Sequence, residues 1–121
     1  MPENITDKMP LLIVKDTFAA LNDLGSFSRA RTNAKIIGVT GSVGKTSTKE
    51  LLNLAFSSFG ITHATAGNNN NDIGVPLTIA RMPLDTDFAI IEMGMNHAGE
   101  ISPLSQLAKP DIAIITNVEE V

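Results

Sequence analysis

The run Gly38-Val39-Thr40-Gly41-Ser42-Val43-Gly44-Lys45-Thr46-Ser47-Thr48 concentrates the residue types that handle phosphate. Glycines at 41 and 44 let backbone N–H groups converge on phosphate oxygens with no Cβ in the way. Lys45 supplies a mobile point charge for the outer phosphates of a nucleoside triphosphate. Thr46 offers a hydroxyl to a magnesium ion (Mg2+). The candidate nucleotide-binding stretch is therefore Gly41, Ser42, Val43, Gly44, Lys45, Thr46 and Ser47, with Lys45 as the candidate catalytic group. The strict phosphate-loop pattern asks for a glycine five residues before the Gly-Lys pair, and Val39 stands there. What remains is a short form, Gly-Ser-Val-Gly-Lys-Thr-Ser.

A second candidate is Glu92, at the end of the apolar run Phe88-Ala89-Ile90-Ile91. Ligand groups gather at the C-terminal ends of strands in open α/β sheets, so a carboxylate here is a candidate metal partner alongside Thr46. His97, in the next loop, either lines the same cleft or is an ordinary loop residue. The stretch Gly67-Asn68-Asn69-Asn70-Asn71-Asp72-Ile73-Gly74 holds more amides than a turn needs. It can donate and accept hydrogen bonds to a sugar or a peptide. His63 has no second ligand at metal spacing and reads as a strand residue. Arg29, Arg31 and Lys35 read as a solvated linker face, with phosphate contact the lesser reading.

These groups need a scaffold. Ile36-Ile37-Gly38-Val39 is a buried strand ahead of the phosphate loop, and a helix from Thr46 to Phe59 comes after it, stopped by Gly60. Leu51, Leu52, Leu54, Ala55, Phe56 and Phe59 form a broad apolar stripe expected to pack on the sheet. Leu11 to Lys15 is a short strand candidate. Asp16 caps a helix carrying Phe18, Leu21, Leu24 and Phe27 to about Ala30, weakened at Gly25. Further strands are expected at 61–65, 88–91 and 112–115, and further helices at 75–82 and 100–107. The alternation predicts an α/β fold: a phosphate-loop parallel sheet, doubly wound, with helices on both faces.

The totals fit one domain of 121 residues, 43% hydrophobic and 18% charged. A net charge of −4 with no basic block speaks against a nucleic-acid footprint. No apolar run reaches the length of a membrane span, so no membrane insertion is expected. Residues 1–10 read as a polar leader with no signal core, and cysteine is absent. The expected location is cytoplasmic.

Three stretches together resemble the Mur ligases, the ATP-dependent amide ligases of peptidoglycan precursor synthesis. They are Thr40 to Glu50, the asparagine loop running into Ile73-Gly74-Val75-Pro76-Leu77-Thr78, and Ile91-Glu92-Met93-Gly94-Met95-Asn96-His97-Ala98-Gly99-Glu100-Ile101. The short phosphate loop is normal in that family. The resemblance covers about Leu11 to Val121. It implies ATP and Mg2+, with Lys45 and residues 41–47 on the phosphates and Thr46 and Glu92 on the metal. It also implies Asn70 and Asn71 facing a nucleotide-sugar substrate. The implied substrates are a UDP-N-acetylmuramoyl-tripeptide and D-alanyl-D-alanine, joined through an acyl phosphate.

By the same resemblance, residues 1–34 are the tail of an N-terminal domain with its linker, and residues 35–121 are the first part of a central ATP-binding domain, left incomplete. The family's later metal-binding histidine, carbamylated lysine and C-terminal domain have no counterpart here. An excised piece, a truncated product and one part of a split enzyme all fit; in the last case the partner is a separate chain carrying the C-terminal part. Alone, such a chain is expected to bind ATP weakly and to make no amide bond. Two other readings stay open: another phosphate-loop ATPase or kinase, and a non-catalytic nucleotide-binding module.

Overall fold

A computed structural model describes residues 9–119. Most of the leader read at residues 1–10 lies outside the described residues, as do Glu120 and Val121. The elements run α1 (Thr17–Arg31), β1 (Lys35–Thr40), α2 (Lys45–Phe56), β2 (Thr62–Ala64), α3 (Gly74–Ala80), β3 (Phe88–Glu92), α4 (Ile101–Ala108) and β4 (Ile112–Ile115). The sheet is entirely parallel, in the order β2-β3-β1-β4.

Alternating side chains of the two central strands enter two different cores, as the pleat requires. Ile36, Ala89 and Ile91 join Val75, Ile79, Met82, Leu104 and Ala108 beneath α3 and α4. Ile37, Val39 and Ile90 meet Leu52 and Phe56 of α2 on the opposite face. Helices therefore cover both faces, as expected of a doubly wound sheet. Each fully buried Ile contributes about 1.5–3 kcal/mol, which ties the sheet centre together most firmly where the phosphate loop is launched.

Asp16 caps α1 as its type suggests, accepting a 3.0 Å bond from the Ala19 N–H. The helix packs on α3 and α4. Gly25 has a reason beyond propensity: a Cβ there would press on the Pro76 carbonyl at 3.3 Å, so its absence lets α1 and α3 approach.

Three expectations are corrected. Residues 11–14 form no strand; Leu12 and Ile13 are both 82% exposed, because no neighbouring strand offers them a ladder. The stripe on α2 is narrower than read: Leu52 and Phe56 face the sheet, while Leu51, Leu54, Ala55 and Phe59 are exposed. The helix ends at Phe56, and residues 57–59 continue as a turn. Nor is Arg29 part of a solvated face, although Arg31 and Lys35 are exposed as expected. The Arg29 guanidinium donates to the Ala108 and Lys109 carbonyls, both at 2.8 Å, closing the C-terminus of α4. Arg31 donates to the Met82 carbonyl at 3.3 Å.

Asp111 completes this corner. Its carboxylate accepts a 2.8 Å bond from the Ile36 N–H and lies 3.8 Å from the Arg29 guanidinium. The Ile36 backbone N–H is the largest influence holding its pKa below the ordinary 3.8; desolvation opposes it, and the Arg29 and Lys35 charges add to the lowering. A carboxyl whose pKa is lower in the folded chain adds stability above the unfolded value, and that contribution drains as pH falls through the folded value. Asp111→Asn is expected to lower the melting temperature at pH 7 by a few degrees. The gap to the native chain should close as pH drops below about 4. A gap unchanged between pH 7 and pH 3 in thermal melts would show that the charge is irrelevant.

Candidate active site

The order β2-β3-β1-β4 puts β1 between β3 and β4. The loop leaving β1 is thus flanked by the C-terminal ends of both neighbouring strands. Glu92 pairs in register with Val39, and the Thr116 N–H bonds to the Thr40 carbonyl at 2.9 Å. The crevice outside the C-terminal strand ends opens here, a cleft of about 360 Å³. It is lined by Ser42 through Ser47, Asn68, Asn70 and Glu92.

Both loop glycines adopt backbone that L side chains avoid, with φ of 140° at Gly41 and 84° at Gly44. A Cβ on Gly41 would also collide with the Thr116 hydroxyl. Gly44 is the N-cap of α2, and no side chain caps that helix. The first N–H groups of α2 have no intrahelical partner by geometry, and the helix dipole places partial positive charge beside them. Backbone donors and dipole together make an anion seat at the cleft floor. Lys45 folds over the loop, donating to the Gly41 carbonyl at 2.7 Å.

Across the cleft, Glu92 is 1% exposed. Its carboxylate accepts from the Thr46 hydroxyl at 3.1 and 3.2 Å and from the Asn70 side-chain amide at 2.9 Å. The Thr65 hydroxyl accepts from the Glu92 N–H at 2.9 Å, anchoring the same residue through its backbone. A hydroxyl oxygen touching a buried carboxylate at the mouth of an anion seat is a hard-oxygen donor set suited to Mg2+. No group of three or more His, Asp or Glu side chains gathers among the described residues.

The structure brings Lys45, Thr46, Glu92 and Asn70 together. It does not bring in Asn71 or His97. The Asn71 side chain turns to its own backbone, accepting from the Ile73 and Gly74 N–H groups at 3.2 and 2.7 Å and so starting α3. His97 is exposed and is not among the cleft-lining residues. His63 contacts the Thr78 carbonyl at 2.8 Å, consistent with a strand residue.

Two contributors escaped the sequence reading. One is the pair after β4: Asn117 takes the Val43 N–H on its side-chain oxygen at 2.9 Å and the Ser42 N–H on its carbonyl at 3.1 Å. Thr116 donates to the Val43 carbonyl at 2.6 Å. Their position at a strand end beside β1 was the available signal. The other is Lys49, fully buried at 0% exposure. It continues the sheet-facing spacing of Leu52 and Phe56, which is where its burial was readable.

A parallel sheet whose central strand runs through a glycine-rich turn and Lys-Thr into a helix defines the class of phosphate-loop α/β domains. Within that class, the chain belongs to the Mur ligase family: residues 39–121 match the Mur ligase middle domain. It is 47% identical over 116 residues to the UDP-N-acetylmuramoyl-tripeptide--D-alanyl-D-alanine ligase of Rickettsia prowazekii, covering 96% of this chain and 26% of that protein. It is 44% identical to the Bacillus subtilis enzyme of the same name, covering 97% and 26%. Among solved structures, the MurF ligase of Thermotoga maritima in complex with ADP superposes with a TM-score of 0.78 at 29% identity, over 93% of this chain and 26% of that one. A MurF structure from Acinetobacter baumannii gives 0.85 at 38%, over 93% and 26%. The chain spans about a quarter of the length of the curated relatives it matches.

Asn117→Ala removes the side-chain acceptor for Val43. Hydrogen exchange at the Val43 amide is expected to quicken by about two- to tenfold, the worth of one modest hydrogen bond, while Ile37 and Val39 in β1 stay protected. Equal exchange at Val43 in both chains would remove Asn117 from the support of the loop.

Proposed function

We propose that this chain supplies the phosphate-binding part of an ATP-dependent amide ligase of peptidoglycan precursor synthesis. The observation that carries the reading is one cleft holding an uncapped helix N-terminus with Lys45 on one wall and the Thr46–Glu92 pair on the other. The names of the relatives extend it to the substrates, UDP-N-acetylmuramoyl-tripeptide and D-alanyl-D-alanine. In this reading residues 1–34 are the tail of an N-terminal domain and residues 35–121 open the central ATP-binding domain. The location is the cytoplasm. No described helix is long and apolar enough to cross a membrane.

The chemistry asks little covalent work of these residues. The terminal carboxylate of the tripeptide attacks the outer phosphorus of ATP, and ADP leaves. The amine of the dipeptide then attacks the acyl phosphate, and phosphate leaves. Charge stabilisation and positioning dominate such a step. The backbone N–H groups of residues 44–47 hold the phosphate chain. Lys45 exchanges the Gly41 carbonyl for phosphate oxygens, so its charge follows the negative charge as that shifts toward the leaving group. Thr46 and Glu92 would hold Mg2+, which supplies a hard positive charge against the phosphates. Asn70 fixes the Glu92 carboxylate and faces the opening where the nucleotide-linked substrate would lie. Asn71 and His97 keep a substrate role only if the loops around them rearrange on binding.

Calorimetric titration with ATP, with and without Mg2+, tests the reading on three chains. Lys45→Ala is expected to weaken ATP about ten- to hundredfold with circular dichroism unchanged, as loss of a charge-assisted contact predicts. Glu92→Gln keeps the side-chain shape and should reduce affinity much more in Mg2+ than in its absence. Unchanged affinity for Lys45→Ala, or an equal loss with and without Mg2+ for Glu92→Gln, would withdraw the assignment of that residue.

A further inference from the structure

Lys49 is the bulkiest fully buried side chain among the described residues. It sits one turn along α2 from Lys45, but it points under the cleft rather than into it. Its ammonium donates to the Thr65 carbonyl at 2.8 Å and to the Gly67 carbonyl at 2.7 Å. It pairs with Glu50 at 2.9 Å and reaches the Glu92 carboxylate at 4.0 Å. Thr65 and Gly67 begin the segment that carries Asn68 and Asn70 over the cleft. Thr65 also holds the Glu92 N–H, and Asn70 holds the Glu92 carboxylate. One cation therefore touches the phosphate helix, the asparagine loop and the buried carboxylate.

We propose that Lys49 is a positioning residue: it clamps the asparagine loop and the Glu92 carboxylate to α2, and so fixes the Thr46–Glu92 pair in the geometry that admits a divalent cation bound to nucleotide. The proposal rests on the Mg2+–nucleotide reading of the cleft. It adds a group that never touches the ligand. The physics is that of outer-shell support. A carboxylate on a metal needs partners that hold its orientation, and losing one commonly weakens metal affinity by about 10–100-fold. A buried ammonium is held in turn by oxygens it cannot leave without a large desolvation penalty, which makes the clamp stiff. Methionine has similar length and no charge, so Lys49→Met fills the space and removes the donors.

The test measures ADP affinity with Mg2+ and in excess chelator, for the native chain, Lys49→Met, Glu92→Gln and the double variant. The readout is the factor by which Mg2+ tightens ADP. In Lys49→Met that factor is expected to fall at least about tenfold, while metal-free affinity moves little. Adding Glu92→Gln to Lys49→Met should then remove almost nothing more, because both changes disable one unit. A merely structural lysine would shift the urea midpoint and leave the Mg2+ factor intact. That result, or additive losses in the double variant, would overturn the clamp.

Should Lys49→Met show no cooperative unfolding, the native chain decides by nitrogen-15 lysine spectroscopy. The Lys49 Nζ resonance is expected to shift between metal-free ADP and ADP with Mg2+, and an unmoved resonance overturns the proposal. A native chain with no Mg2+ effect on ADP sinks the underlying reading as well. A native chain with a normal effect that Lys49→Met retains sinks the clamp alone.

Discussion

An ammonium with no access to water must be surrounded by oxygen, and that requirement at Lys49 organises much of this molecule. Removing a charge from water carries a penalty of several kcal/mol unless hydrogen bonds and counter-charge replace the solvent. Here the replacements come from separate parts of the chain: the carbonyls of Thr65 and Gly67, and the carboxylates of Glu50 and Glu92. To supply them, the end of β2 must lie against α2 and the end of β3 must lie beside both. The parallel register of β2, β3 and β1 delivers all three at the same edge. Burial of Lys49 and assembly of the cleft are one event.

The cleft is also largely self-satisfied. Lys45 spends its charge on the Gly41 carbonyl, Asn117 takes the Val43 N–H, and the Thr46 hydroxyl rests on Glu92. No buried side-chain nitrogen or oxygen among the described residues lacks a partner. Binding a nucleotide therefore exchanges hydrogen bonds rather than adding them, so the net gain per contact is modest. The backbone donors at the start of α2 are the exception. Among the described residues they have no protein partner to give up, so the phosphate seat is ready before a ligand arrives.

How far the sequence announced this can be judged residue by residue. Continuous apolar runs at 36–39 and 88–91 made the central strands legible, because strands buried on both faces need no alternation. The glycine spacing and Lys-Thr pair located the phosphate loop, since few other uses demand those types together. Leu11 to Val14 misled because β-propensity reports a fit to a pleated surface, and no surface is offered there. The α2 stripe misled because helical spacing gives the apolar residues but not how wide a sheet they meet. Asn71 looked like its neighbour Asn70, yet one turns back to the Ile73 and Gly74 N–H groups and the other grips Glu92. Only the turn between them separates the two roles. Lys49 is hard to read, because a lysine among polar neighbours passes for solvent-facing. Its spacing from Leu52 and Phe56 carried the contrary message.

The charge balance of the cleft differs from that of the chain. With a formal net charge of −4, the protein as a whole repels a nucleoside triphosphate. Around the cleft, the Lys45 ammonium lies over the loop and the positive end of α2 forms the floor, while the Lys49 ammonium beneath it offsets the Glu92 carboxylate, with Glu50 exposed at the surface. A local excess of positive charge in a partly desolvated crevice outweighs distant acidic groups, because salt screens exposed charges beyond roughly 8–10 Å. The two lysines divide that task. Lys45, mobile and half-buried, can follow charge as it moves along the phosphates. Lys49, fixed and dry, offsets the carboxylate that would otherwise repel them. An exposed second lysine could give the same net charge but could not hold Glu92 in place, which is why its burial, expensive as it is, belongs to the function.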